Sequence, residues 1–531
     1  MGNQILCCAW LSISDMHGRH QYHIGKHRCR RAWCGFGFWV ASVLQLLSGT
    51  LAVPIKGPGS MDVSLLVRNQ DTQLDRSLLA ELRSAVADAG WSHRTVISMS
   101  DSEVALGHRG LWTYKPWLFL LERELQKERR RSAGGQRWLV FLEPATALDA
   151  SSLQSTLAEY DAREQIFLGR RLKDDGENPP IIHHFSTEPP YPHAHAGFAL
   201  SAGLVRRLVK DLKENPPGGS QQIEPVWELA QLIKNLGVDI TDRSDAFCST
   251  RADGCSTWVR RADRDVVNGP LASQDVVIGV KTVEHFHASR IPVVHEAWGS
   301  TGQAEVLYLS NKEFSEVPGA KVIDLSPEFG DAVDPAKEAD KHGSGHCTKM
   351  HAILRYFLRH KPAKRWYVVT DDDTLLNVPR LLEVLSSHDD REAIYLGERY
   401  GWAHGAEFEG TNYITTGGGM ALSGPALAAL LACDKCTCRY PNSPDDMTMG
   451  AWFRNMKKVK MVHEEGFHQT EPHNYNPEIL KVADTPISFH RFALRLPASA
   501  PQTEVLAARK KNWKSWRAKY FKHQRKKSDE L

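Results

Sequence analysis

The residue pattern predicts an α/β protein assembled from two tandem copies of one domain. An internal repeat is the first sign. Trp138-Leu-Val-Phe-Leu-Glu143 aligns with Trp366-Tyr-Val-Val-Thr-Asp371 at an offset of 228 (366 − 138), and Ile166-Phe-Leu-Gly-Arg170 aligns with Ile394-Tyr-Leu-Gly-Glu398 at the same offset. Gly197-Phe-Ala-Leu-Ser201 then aligns with Gly419-Met-Ala-Leu-Ser423 at 222 (419 − 197). The second sign is alternation. Short β-branched and aromatic runs, Val276-Val-Ile-Gly-Val and Trp366-Tyr-Val-Val-Thr, alternate with segments of helical spacing such as Cys347 to Phe357. Strands that alternate with helices build a mostly parallel sheet covered on both faces. The third sign is a run of carboxylates directly after a strand, at the sheet edge where ligands bind in such folds.

In chain order, Arg28, Arg30 and Arg31 precede an apolar run from Phe36 to Val53 that ends in small residues (Ser48, Gly49, Ala52). This is the order of a secretory signal. The run also approaches the roughly 20 residues that span a bilayer, so a type II signal anchor is the alternative. At the other end, Ser528-Asp529-Glu530-Leu531 resembles the K-D-E-L address read by a retrieval receptor in the endoplasmic reticulum. Together the two ends predict a soluble lumenal protein with no stable membrane span. Residues 1–53 are then an extension plus signal, 54–241 the first copy, 242–274 a linker, 275–498 the second copy and 499–531 a basic tail.

Six cysteines lie beyond the signal, Cys248, Cys255, Cys347, Cys433, Cys436 and Cys438, an even set for an oxidising compartment. Cys248 and Cys255 are close enough to close a small loop. Cys433-x-x-Cys436-x-Cys438 also reads as half a zinc site or a redox motif, but no second ligand pair and no thioredoxin-like context accompany it, so structural pairing is the reading adopted. The net charge of +3 is too small to argue for nucleic acid, and the basic cluster from Arg509 to Lys527, with Trp513 and Trp516 interleaved, reads as a solvated helix or tail.

Chemistry concentrates in the second copy. Asp371, Asp372 and Asp373 repel one another, and a divalent cation relieves that cost; hard oxygen ligands suit Mn²⁺ or Mg²⁺. Gly417, Gly418 and Gly419 let backbone approach a ligand closely. Pro444-Asp445-Asp446 precedes a helical run, where a carboxylate caps the helix or serves as a base. His468, in Gly466-Phe467-His468-Gln469, is a candidate late metal ligand, with His463, His473 and His490 ranked behind it. The first copy has Glu143-Pro144-Ala145 in place of the triplet and Glu224-Pro225 in place of Asp446-Met447, so neither metal nor transfer is expected there. His183, His184, His193 and His195 read as loop histidines.

The order strand–Asp-Asp-Asp, Gly-Gly-Gly-Met-Ala-Leu-Ser, Pro-Asp-Asp, Phe-His resembles the Fringe-type β1,3-glycosyltransferases over about 273–495. The resemblance implies two GT-A-like, Rossmann-like mixed-sheet domains, the second catalytic. With the duplication and the C-terminal address, it implies inverting transfer of glucose from UDP-glucose to the 3-hydroxyl of O-linked fucose on thrombospondin type 1 repeats. It assigns Asp371 and Asp372 to the nucleotide, with Lys281, Thr282 and the glycines Gly417 to Gly419 lining the donor. Asp373, Asp371 and His468 would hold Mn²⁺ or Mg²⁺, with Asp446 as base and Asp445 as its substitute. A related transferase using UDP-galactose or UDP-N-acetylglucosamine, and an inactive lumenal lectin or folding factor, are the alternatives.

Overall fold

The computed structural model describes residues 61–91, 96–99, 136–174, 187–215, 224–261, 263–328, 345–402, 411–438, 440–454, 456, 458–492 and 500–521, with five isolated positions between 114 and 125. The expected signal, His183, His184 and the last four residues lie outside the described residues. Among the described residues no helix is long and apolar enough to cross a membrane.

Two sheets dominate, both within the compact unit 49–531. The first contains β1 (Met61–Val67), β2 (Val96–Ser98), β3 (Gln136–Leu142), β4 (Phe167–Gly169), β5 (Phe198–Ser201) and β6 (Thr241–Asp242), in the order β2-β1-β3-β5-β4-β6. The second contains β7 (Val276–Lys281), β8 (Glu305–Ser310), β9 (Val322–Asp324), β10 (Trp366–Asp371), β11 (Ile394–Gly397), β12 (Met420–Ser423) and β13 (Lys460–His463), in the order β9-β8-β7-β10-β12-β11-β13. Apart from β9, the second order repeats the first strand for strand. β5 is antiparallel to both its neighbours, as is β12, and the other pairings are parallel.

The repeat extends to register and to side chains. Trp138 pairs with Ser201, and Trp366 pairs with Ser423. Each serine does the same three jobs. Ser201 Oγ donates to Glu164 O, accepts from Ile166 N and caps the following helix through Leu204 N. Ser423 Oγ donates to Glu392 O, accepts from Ile394 N and caps its helix through Ala426 N. A short hydroxyl at a helix N-cap satisfies an orphan amide, so this position anchors strand, loop and helix at once.

Along β10, Trp366 and Val368 face one apolar cluster while Tyr367 and Val369 face another. A strand buried on both faces reads as a continuous apolar run, which is why Trp-Tyr-Val-Val-Thr shows no polar alternation. Two segments differ from the sequence reading. The linker is partly sheet: Thr257–Val259 pairs with Thr146–Leu148 of the first copy. The basic tail is partly structural. The helix Gln502–Tyr520 buries Trp513 against the second core with Leu506 and Trp516 packed beside it. Helical spacing of these apolar residues was present, but the density of lysine and arginine masked it.

The six cysteines among the described residues are all paired, Cys248–Cys255, Cys347–Cys438 and Cys433–Cys436. The zinc reading of the last motif is thereby excluded.

Candidate active site

The carboxyl end of β10 delivers Asp371, and the turn after it delivers Asp372 and Asp373. β7, alongside, ends at Lys281, which pairs with Asp371 in the ladder. Lys281 Nζ lies 3.0 Å from Asp371 Oδ1 and 2.6 Å from Asp445 Oδ2, so one ammonium bridges the triplet and the start of the helix Asp445–Arg454. Burial works against the charge on Lys281. The two carboxylates overturn that effect and hold its pKa above the ordinary lysine range.

Asp372 turns inward. It accepts from Thr282 Oγ1 at 2.6 Å and from Arg290, and burial raises its pKa despite the arginine. Arg290 also reaches Asp373 Oδ2 at 3.2 Å while its guanidinium lies 3.7 Å from the centroid of the Phe286 ring. Asp373 Oδ1 is 3.0 Å from His490 Nε2, and Asp371 Oδ2 is 3.7 Å from the same nitrogen. Burial opposes the Asp373 charge, but the bond to His490 and the charges of His490 and Arg290 prevail and bring its pKa down to about 2. The His490 Nδ1 is fixed 2.9 Å from Gln469 O, which leaves Nε2 for the carboxylates. Ligand atoms of Asp371, Asp373 and His490 lie within 4.8 Å of one another. Two carboxylates and an imidazole at this separation suit a divalent cation.

The geometry therefore brings in His490 where the sequence reading put His468. His468 is buried, its Nδ1 is 3.0 Å from both Gly466 O and Ser488 O, and its ring stacks on Phe489 at 4.4 Å. Burial takes its pKa down to about 4. It is held beneath the cluster rather than within it. The glycine run also has a local reason for its composition. A Cβ on Gly417 would collide with the His490 ring, one on Gly418 would come within 3.0 Å of Gln469 N, and Gly419 has φ +98°. The run is the floor on which His490 and Gln469 rest.

Asp445 is buried, accepts from Thr416 Oγ1 at 3.2 Å, and is kept acidic by Lys281 despite burial. Asp446 accepts only from its neighbour's amide, Met447 N at 2.7 Å, among the bonds found for its side chain. Burial and the adjacent Asp445 charge raise its pKa to about 7. Burial and charge thus drive the two adjacent carboxylates apart: Asp445 stays ionised, while Asp446 exchanges a proton near neutrality. Arg290 and Arg509 had no signal in the sequence, since an arginine in an amphipathic helix is ordinary. Arg509 Nη1 donates to Ser289 O at 2.6 Å and braces the helix that carries Arg290.

Acidic residues around one imidazole, at the carboxyl edge of a mixed sheet and beside a helix that begins with two aspartates, form a site of glycosyltransferase type. Residues 271–499 match the Fringe-like family model. The chain is 35% identical over 391 residues to human β-1,3-glucosyltransferase, covering 72% of each chain. It is 34% identical to the mouse protein of the same name, covering 72% of this chain and 73% of that one. With manic fringe of Danio rerio, a β-1,3-N-acetylglucosaminyltransferase, it shares 29% identity over 55% of this chain and 81% of the relative. Among solved structures, the bifunctional glycosyltransferase WbbM aligns over 84% of this chain at 9% identity and a TM-score of 0.30, too distant to place residues. The chain belongs to the Fringe-type β1,3-glycosyltransferase family.

Proposed function

We propose that the protein is an inverting, Mn²⁺-dependent β1,3-glucosyltransferase that moves glucose from UDP-glucose to the 3-hydroxyl of O-linked fucose on thrombospondin type 1 repeats. The observation that carries the reading is the adjacency, through Lys281, of the Asp371–Asp373–His490 cluster and the Asp445–Asp446 pair. The relatives at 34% and 35% identity, both named β-1,3-glucosyltransferases, favour glucose as the sugar.

Inverting displacement needs one base on the acceptor side. Asp446, with its pKa near 7, takes the proton from the attacking hydroxyl. Asp445 tunes it electrostatically: its fixed negative charge raises the proton affinity of Asp446, and Lys281 balances that charge. Asp371, Asp373 and His490 would hold the cation, which supplies charge neutralisation to the departing nucleotide when bound. Arg290 and Lys281 place two further cationic heads at the same edge for phosphate oxygens. The cationic and acidic groups stand pre-organised, so little reorganisation accompanies the reaction. The lumen of the endoplasmic reticulum is the proposed location. The three disulfides fit an oxidising compartment, and the C-terminal Ser-Asp-Glu-Leu fits a retrieval receptor.

The test incubates purified protein with fucosylated and unfucosylated thrombospondin repeats and UDP-glucose, UDP-galactose or UDP-N-acetylglucosamine in turn, read by mass. One added hexose, only from UDP-glucose and only on fucosylated repeats, is expected. Transfer from UDP-N-acetylglucosamine instead would move the protein to the Fringe specificity.

A further inference from the structure

Between β13 and the strand that precedes His490, residues 464–479 form a strap across the back of the site. Its middle belongs to the second copy. Glu398 accepts from Gln469 N and from Tyr475 OH at 3.1 Å, Gly418 N donates to Gln469 Oε1 at 2.9 Å, and Gln469 O holds the His490 ring. Its two ends belong to the first copy. At the head, Gln70 Nε2 donates to His463 O at 2.9 Å and His463 N donates to Gln70 Oε1 at 2.6 Å. One amide side chain thus satisfies both backbone polar groups of His463 on the open side of the edge strand β13. His195 Nε2 stands 3.5 Å from Glu465 Oε1. At the tail, Asn476 Nδ2 donates to Lys173 O at 3.3 Å, Arg170 Nη2 meets Glu478 Oε2 at 3.2 Å, and Ile479 packs against the first core.

Arg170 and Glu398 are equivalent positions of the repeat, and both grip this strap, one at its tail and one at its centre. We propose that the first copy is the positioning unit for His490: it fixes both ends of the strap, so that Gln469 O can hold Nδ1 and present Nε2 to Asp371 and Asp373. Gln70 and Arg170 are the positioning residues. A carbonyl that holds the second nitrogen of a ligating imidazole sets its tautomer and aim, and loss of such outer contacts typically costs about 10- to 100-fold in metal affinity. The inference rests on reading Asp371, Asp373 and His490 as the metal centre.

The test titrates Mn²⁺ into the full chain and follows the free-ion signal by electron paramagnetic resonance, with calorimetry to verify folding. Gln70→Leu, which removes both bonds to His463, and Arg170→Met should each weaken binding about tenfold. Arg170→Lys, which keeps a cation for Glu478, should restore it. Arg163→Met, which breaks an exposed ion pair to Asp161 away from the strap, should leave affinity unchanged. Parental affinity in both Gln70→Leu and Arg170→Met, or an equal loss in Arg163→Met, would overturn the proposal. If Gln70→Leu fails to fold, the Arg170 pair decides alone. If the parent chain binds no Mn²⁺, the metal centre itself is wrong, and the positioning role goes with it.

Discussion

The ends of β3 and β10 hold the same device with different outcomes. In the second copy Lys281 bridges Asp371 and Asp445. In the first, Arg68 occupies the corresponding place beside β3 and donates from Nε to Glu143 at 2.8 Å, with Glu224 acting on it at longer range. One cation between one strand-end carboxylate and one helix-start acid is therefore common to both. What differs is the surplus. The second copy adds Asp372, Asp373, Asp446 and His490, whereas the first adds Pro144, Ala145 and Pro225. The crevice at the first sheet's edge is a cavity of about 130 Å³ lined by Arg68, Glu143, His195, Arg264, Glu464 and Glu465. Arg264 forks onto Glu464 at 3.0 and 3.1 Å, so the second copy closes this edge with its own chain. One cation between two acids is common to both edges, and the added carboxylates with His490 make the site.

The sharpest break of this contrast is Asp446→Asn. It removes the proposed base while keeping shape, and transfer should fall by about 10²- to 10⁴-fold with unfolding unchanged. Residual turnover within threefold of the parent would return the role to Asp445. Next is Gly417→Ala, whose Cβ displaces the His490 ring. Mn²⁺ affinity measured calorimetrically should drop at least about tenfold, and Gly197→Ala in the first copy should not change it.

Arg68→Met leaves Glu143 buried without its partner, and uncompensated buried charges cost roughly 3–5 kcal/mol. Denaturant unfolding should show that loss with the sugar-nucleotide chemistry intact in whatever fraction remains folded. The smallest effect expected is a pH dependence. Asp446 must be ionised to accept a proton, and its pKa is raised to about 7. The rate should therefore decline as pH falls through neutrality, and Asp446→Glu should shift that limb. A rate flat from pH 8 to about pH 5, where an unperturbed carboxylate is still ionised, would remove Asp446 from the step.

The sequence made the strands legible because β10 and β3 are buried on both faces and carry uninterrupted apolar runs. It made the triplet and Asp445–Asp446 legible because each directly follows or begins a regular element. It pointed to His468 as the metal histidine and ranked His490 behind it, whereas the structure groups His490 with Asp371 and Asp373. Each directly follows a phenylalanine, Phe467 and Phe489, and only the packing of Gly417 against one ring and of Phe489 against the other separates them. Arg290, Gln70 and the docking of the helix Gln502–Tyr520 depend on contacts between segments far apart in the chain, which no local pattern encodes.

Crystals grown with Mn²⁺ and UDP and measured at the manganese absorption edge test the central claim most directly. The account predicts one anomalous peak, ligated by Asp371, Asp373 and His490 Nε2, and none beside Glu143. A peak coordinated by His468 in place of His490, or one seated between Glu143 and His195, would contradict it.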